Sequence, residues 1–104
     1  MFDFIRKLFK AKPDLVKLVQ EGALIVDVRT KSEYQAAHVE GSVNIPLSDI
    51  RREVRSLKQL NKPVISVCRS GNRSGMAKSI LTSADIEVYN GSAWADLKKQ
   101  LKKL

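Results

Sequence analysis

Apolar and polar residues recur along this chain with two periods, one near 3.6 and one of short unbroken runs, and the changes of period mark its elements. Residues 1–12 (MFDFIRKLFKAK) set Phe2, Ile5, Leu8 and Phe9 at helical spacing among basic residues. That pattern predicts an amphipathic helix, ended by Pro13. Such a helix can lie on a membrane surface or a partner, or pack back onto its own domain, which is the favoured reading. Asp3, Arg6 and Lys7 interrupt the apolar face and argue against a secretory signal. A short helix over 14–20 follows, with Leu15, Leu18 and Val19 on one side and Gly22 closing it. Ala23–Val28 is a compact β-branched run and reads as a buried strand.

The alternation then repeats. Thr30-Lys-Ser-Glu33 is a capping box, so a helix runs to about Ala37. Gly41 marks a turn. Ser42–Ile45 is a second strand, stopped by Pro46, and Leu47, Ile50, Val54 and Leu57 predict a helix. Pro63–Val67 is the clearest strand and ends at Cys68. A loop over 69–73 leads into a helix from about Ser74 to Ser83, with Met76, Ala77, Ile80 and Leu81 inward. Ile86–Tyr89 reads as a strand, Asn90-Gly91 as a turn and Ser92 as an N-cap. Trp94, Leu97, Leu101 and Leu104 line one face of a last helix. Strands alternating with helices imply an α/β domain, a parallel sheet with helices on both faces. Ligands of such sheets bind beyond the C-terminal ends of the strands. The expected organisation is an N-terminal helix over 1–12 and one domain over 13–104.

Composition narrows the function classes. The 104 residues carry a net charge of +8, which by itself invites a nucleic-acid or membrane-surface partner. Its distribution weakens that reading. Residues 1–12 hold four bases against one acid, and 94–104 again hold four against one, so six of the eight charges sit at the two ends. No basic face with interleaved aromatics appears, and no specific nucleic-acid partner is expected. No apolar run approaches the roughly 20 residues of a membrane-spanning helix. The single cysteine excludes an internal disulfide and a Cys-based zinc site. It points to a reducing, cytoplasmic setting.

That cysteine lies where the strand-end rule puts a site. Cys68-Arg-Ser-Gly-Asn-Arg-Ser74 leaves a strand and enters a helix. Successive N–H groups of such a loop can form a concave anion nest, with Gly71 supplying backbone freedom. The helix adds its positive end, and Arg69 and Arg73 flank the thiol. All three lower a cysteine pKa, and the thiolate is the nucleophile. The plain alternative is a Cys that acts as a small buried hydrophobe. The absence of a nearby His in sequence points to activation by electrostatics.

Val26-Asp-Val-Arg29, Glu33-Tyr34, His38-Val39-Glu40-Gly41, Asn44-Ile45-Pro46, Cys68–Ser74 and Asn90-Gly91 with Trp94 together resemble the rhodanese (thiosulfate sulfurtransferase) family over residues 13–104. The resemblance implies a rhodanese-like fold with four or five strands. The family's first edge strand is not evident between Lys10 and Asp14. It further implies that Cys68 attacks the outer sulfur of a small anionic donor such as thiosulfate, carries it as a persulfide, and passes it to cyanide, a thiol or a protein acceptor. By the same resemblance the backbone of Arg69, Ser70, Gly71, Asn72 and Arg73 holds the terminal sulfur, and Arg69 and Arg73 attract the donor, with Arg73 also bracing the loop. No metal or organic cofactor is implied. Asp27, Arg29, Glu33, His38, Asn44 and Trp94 read as structural. Ala37, Ser92 and Asp85 stand where relatives often have Gly. Phosphatases of the same fold use Cys-x5-Arg, usually after a His, whereas this chain has Cys-x4-Arg after Val67. The competing reading is a non-enzymatic regulatory or protein-binding module.

Overall fold

The computed structural model describes residues 13–104, so the helix expected over 1–12 lies outside the described residues. Helix α1 (Leu15–Gln20) starts at Asp14, whose carboxylate accepts from the Lys17 N–H at 3.1 Å. Strand β1 (Leu24–Asp27) leads to α2 (Lys31–Ala36). The capping box forms as expected, with Thr30 and Glu33 each accepting the other's backbone N–H. Strand β2 is only Val43–Asn44. The following helical segment is split, a 3₁₀ helix over Leu47–Glu53 and then α3 (Val54–Gln59). Strand β3 (Val64–Cys68) is buried at every residue. Helix α4 (Asn72–Thr82), strand β4 (Val88–Ala93) and helix α5 (Trp94–Lys102) complete the order.

The four strands are parallel and lie in the order β2-β1-β3-β4. Side chains of a strand alternate between faces, and here the alternation separates two cores. Val26, Val64 and Cys68 join Ile50, Leu57, Ala77 and Leu81 under the 3₁₀ helix, α3 and α4. Ile25, Ile65 and Val67 join Leu97, Leu18 and Leu101 under α1 and α5. Helices therefore cover both faces, as the alternation predicts.

Several local expectations change. Helix α4 starts at Asn72, two residues before Ser74, because Gly71 takes a φ of +115° and caps it directly. Met76 is 56% exposed, not inward, and Leu104 is exposed beyond the last turn. Asn90-Gly91 does not end the last strand: β4 runs through it to Ala93, with one extra residue against β3, since Asn90 pairs Ser66 and Ser92 pairs Val67. Ser92 is consequently not the N-cap. It lies in the bulge at φ +59°, and Ala93 precedes α5 without a side-chain cap.

A buried ion pair holds the sheet's C-terminal edge. Asp27 and Arg29 leave the end of β1, and the Arg29 guanidinium meets both carboxylate oxygens at 2.7–3.0 Å. Its remaining donors reach the carbonyls of Glu33 and Ala37, and it stacks over Trp94 at 4.4 Å. One side chain thus joins β1, α2 and α5.

Candidate functional site

The site is built by the exit from β3. Four buried residues, Val64 to Val67, bring Cys68 to the strand's end, and its side chain falls on the α4 face of the sheet. The chain then reverses into α4 through Arg69–Gly71. The first bond of the helical ladder runs from the Gly75 N–H to the Gly71 carbonyl. The N–H groups of Asn72, Arg73 and Ser74 precede that ladder.

This loop closes on the sulfur. Gly71 N–H donates to Cys68 Sγ at 3.0 Å and Ser74 N–H at 3.4 Å. The thiol itself donates to Ser74 Oγ at 3.3 Å. Cys68 is buried, which by itself would raise its pKa. The Ser74 hydroxyl and the N–H groups of Ser74, Gly71 and Ser70 outweigh that cost, and the thiol titrates below its ordinary value.

The two flanking arginines differ. Arg73 forms a two-pronged pair with Glu33, at 2.7 and 3.0 Å. Hydrogen bonding to the guanidinium, with help from the Thr30 N–H, holds the Glu33 carboxyl well below the usual carboxylate range. Glu33 therefore both caps α2 and clamps α4. Arg69 is exposed, and among the described residues no carboxylate pairs with it. Ser70 and Asn72 are exposed on the same loop. Of the residues marked from the sequence, Gly71 meets the sulfur through its N–H, Arg69, Ser70 and Asn72 are exposed on the loop, and Arg73 is turned to Glu33.

Two site residues escaped the sequence reading. Ser74 is fully buried and touches the sulfur. Asn90, expected in a turn, sits on β4 beside β3 and accepts from Ser74 Oγ at 2.6 Å and from Ser92 N–H at 2.9 Å, while its amide donates to the Gly71 carbonyl at 3.3 Å. Ser66, one pleat below Cys68 on the same face, donates to the Ser74 carbonyl at 2.9 Å. The available signal was position: neighbouring parallel strands deliver their C-terminal ends to one place. His38 stacks on Tyr34 and Asn44 donates to the carbonyls of Asp27 and Arg29, so both act in the scaffold.

Comparison with known proteins gives one family. Residues 11–96 match the family model of the rhodanese-like domain. The thiosulfate sulfurtransferase PspE of Escherichia coli (strain K12) is 38% identical over 58 residues, which cover 55% of this chain and 56% of PspE. A candidate sulfur carrier protein of Bacillus subtilis (strain 168), YrkF, is 39% identical over 69 residues, covering 66% of this chain and 35% of YrkF. The chain thus spans little more than half of the first relative and about a third of the second. Among solved structures, a rhodanese with anions from E. coli superposes with a TM-score of 0.65 at 32% identity, covering 72% of this chain and 91% of that one. A rhodanese-like domain protein from Staphylococcus aureus gives 0.66 at 25% identity, covering 91% and 83%.

Proposed function

Because the chain belongs to the rhodanese-like domain family, we propose that it is a sulfurtransferase that carries a sulfane sulfur on Cys68, from thiosulfate or a similar anionic donor to cyanide, a small thiol or a protein thiol. The observation that carries this reading is the sulfur's environment: Gly71 N–H, Ser74 N–H and Ser74 Oγ converge on Sγ and lower the thiol's pKa. In the loading step the thiolate attacks the outer sulfur of thiosulfate. A new S–S bond forms, the donor's S–S bond breaks, and sulfite leaves with the bonding pair. Charge is conserved without a proton or an oxidant. In unloading, the acceptor attacks the outer sulfur and the bonding pair returns to Sγ.

Arg69, exposed and with no carboxylate partner among the described residues, supplies a cation that draws the donor in. Arg73 braces the loop against α2, its charge largely matched by Glu33. The N–H groups of residues 69–73 receive the outer sulfur. As this is the sole cysteine, no second thiol of the chain resolves the persulfide, and its sulfur leaves to an outside acceptor. A thiol that must stay reduced suits a cytoplasmic setting. The resemblance to a candidate sulfur carrier favours a protein acceptor as the second form of the same chemistry.

Intact mass after treatment with thiosulfate tests the reading. The expected result is a gain of one sulfur atom, removed by cyanide and absent in Cys68→Ala. If no sulfane donor adds sulfur, the enzyme reading fails and a regulatory or protein-binding module takes its place.

A further inference from the structure

The hydroxyl that touches the sulfur has one proton and two claims on it. Ser74 Oγ lies 3.3 Å from Cys68 Sγ and 2.6 Å from Asn90 Oδ1. In the resting thiol, valence sets the order: the thiol donates to Oγ and Oγ donates to Asn90. A thiolate only accepts. Its contact with Ser74 is then favourable only if the hydroxyl turns round and donates to it. Asn90 Oδ1 can release that proton without being orphaned, because the Ser92 N–H continues to donate to it.

We propose that Ser74 is a further catalytic residue and Asn90 its positioning residue, together forming a two-position switch in which the Ser74 hydroxyl donates to Cys68 Sγ when that sulfur is anionic and to Asn90 Oδ1 when it is not. The chemical steps rest on the sulfurtransferase reading above. The switch itself is a property of the thiol and is testable without sulfur transfer.

Both partners are held in place. Ser74 is fully buried, and its carbonyl is gripped by Ser66 Oγ. Asn90 is tied at both ends of its amide, to the Gly71 carbonyl and the Ser92 N–H. Gly75 allows this approach, since a Cβ there would lie 3.3 Å from Asn90 Nδ2. Among the described residues, the charged groups around the thiol are Arg69 on the loop, Arg73 on α4 with its partner Glu33 on α2, and the buried Asp27–Arg29 pair at the end of β1. The 3₁₀ helix faces the same core with Leu47 and Ile50, and β4 contributes uncharged Asn90 and Ser92. None of these ions hydrogen-bonds to Ser74 Oγ, so the switch is neutral at its centre.

The switch treats the two half-reactions differently. During loading, negative charge leaves Sγ for the outer sulfur and sulfite. Sγ becomes a neutral divalent sulfur, a poor acceptor, and the hydroxyl returns to Asn90. During unloading, the S–S bond breaks and its electron pair collects on Sγ, where the Ser74 hydroxyl meets it. A donor whose bond strengthens as charge develops lowers that barrier.

The pH dependence of Cys68 alkylation by iodoacetamide reads the switch directly. Ser74→Ala is expected to raise the thiol pKa by about one unit, and Ser74→Thr, which keeps a hydroxyl, to recover most of that shift. Asn90→Ala frees the Ser74 proton for the thiolate and lowers the pKa, and the same substitution made in Ser74→Ala produces no lowering. Single-turnover rates at a pH where the thiol is ionised should show unloading slowed about tenfold in Ser74→Ala, and loading slowed less. An unchanged pKa in Ser74→Ala overturns the switch. So does a raised pKa in Asn90→Ala, the mark of a residue that only holds the loop. If Asn90→Ala does not fold, the Ser74→Ala and Ser74→Thr pair and the loading-to-unloading comparison decide. A parent protein that takes up no sulfur defeats the sulfurtransferase reading and leaves the titration result standing.

Discussion

Gly91 sits where a side chain has no room. A Cβ there would meet Ile65 Cγ2 at 2.7 Å, Val67 Cγ1 at 2.9 Å and the Ser66 carbonyl at 3.2 Å. Gly91→Ala should therefore push β4 off β3 and cost about 1–3 kcal/mol, measured as a lower urea midpoint at unchanged slope. The Asp27–Arg29 pair is more demanding. Both side chains are buried, so Asp27→Ala strands a guanidinium and should cost about 3–5 kcal/mol in the same measurement. Arg69 makes the opposite prediction. It is exposed and unpaired among the described residues, so Arg69→Ala should leave stability within about 0.5 kcal/mol and raise KM for thiosulfate more than it lowers kcat. An unchanged KM in steady-state assays would take Arg69 out of donor recruitment. At this scale the sequence marked Cys68 and its loop, because strand, glycine and arginines are consecutive. It could not show Glu33 on Arg73 or Asn90 on Ser74, since those contacts join residues 40 and 16 positions apart.

Between elements, the Glu33–Arg73 pair is the strut from α2 to α4, across the mouth of the loop. Its pH dependence follows from its sign. Glu33 has a folded pKa depressed below its unfolded value, so its contribution is present above the unfolded value, about 4.3, and fades as pH falls toward the lower folded one. Both side chains are about a third exposed, and the pair contributes under about 1 kcal/mol to stability. Its larger effect is on geometry. Glu33→Gln should loosen the loop and lower the rate of sulfur loading at neutral pH. A pH titration of loading rate down to about pH 4.5, where Glu33 stays ionised, should show no loss beyond that due to thiol protonation. The alternation of strands and helices was legible because each element carries its own period. The extension of β4 through Asn90-Gly91 was not. That dipeptide favours a turn locally, and only pairing with β3 turns it into a bulged strand. Met76 shows the same limit, since α4 packs through Ala77 and Leu81 and leaves position 76 to solvent.

For the molecule as a whole, the two cores divide the labour. The α1 and α5 side is closed by Leu97, Val39 and Ile65 and contributes no group to the thiol. The 3₁₀, α3 and α4 side carries the thiol at its upper edge. No described helix is long and apolar enough to cross a membrane. The sheet order has a kinetic corollary. Every neighbouring pair of strands is parallel, so none can close through a tight hairpin. The central pair joins residue 24 to residue 64, and β1 must wait, one backbone edge unpaired, until β3 has been made. Non-local parallel pairing of this kind slows folding relative to helical bundles built on local contacts. During synthesis, the stretch from β1 to the start of β3 is the part of this protein that has to be kept from meeting another copy of itself.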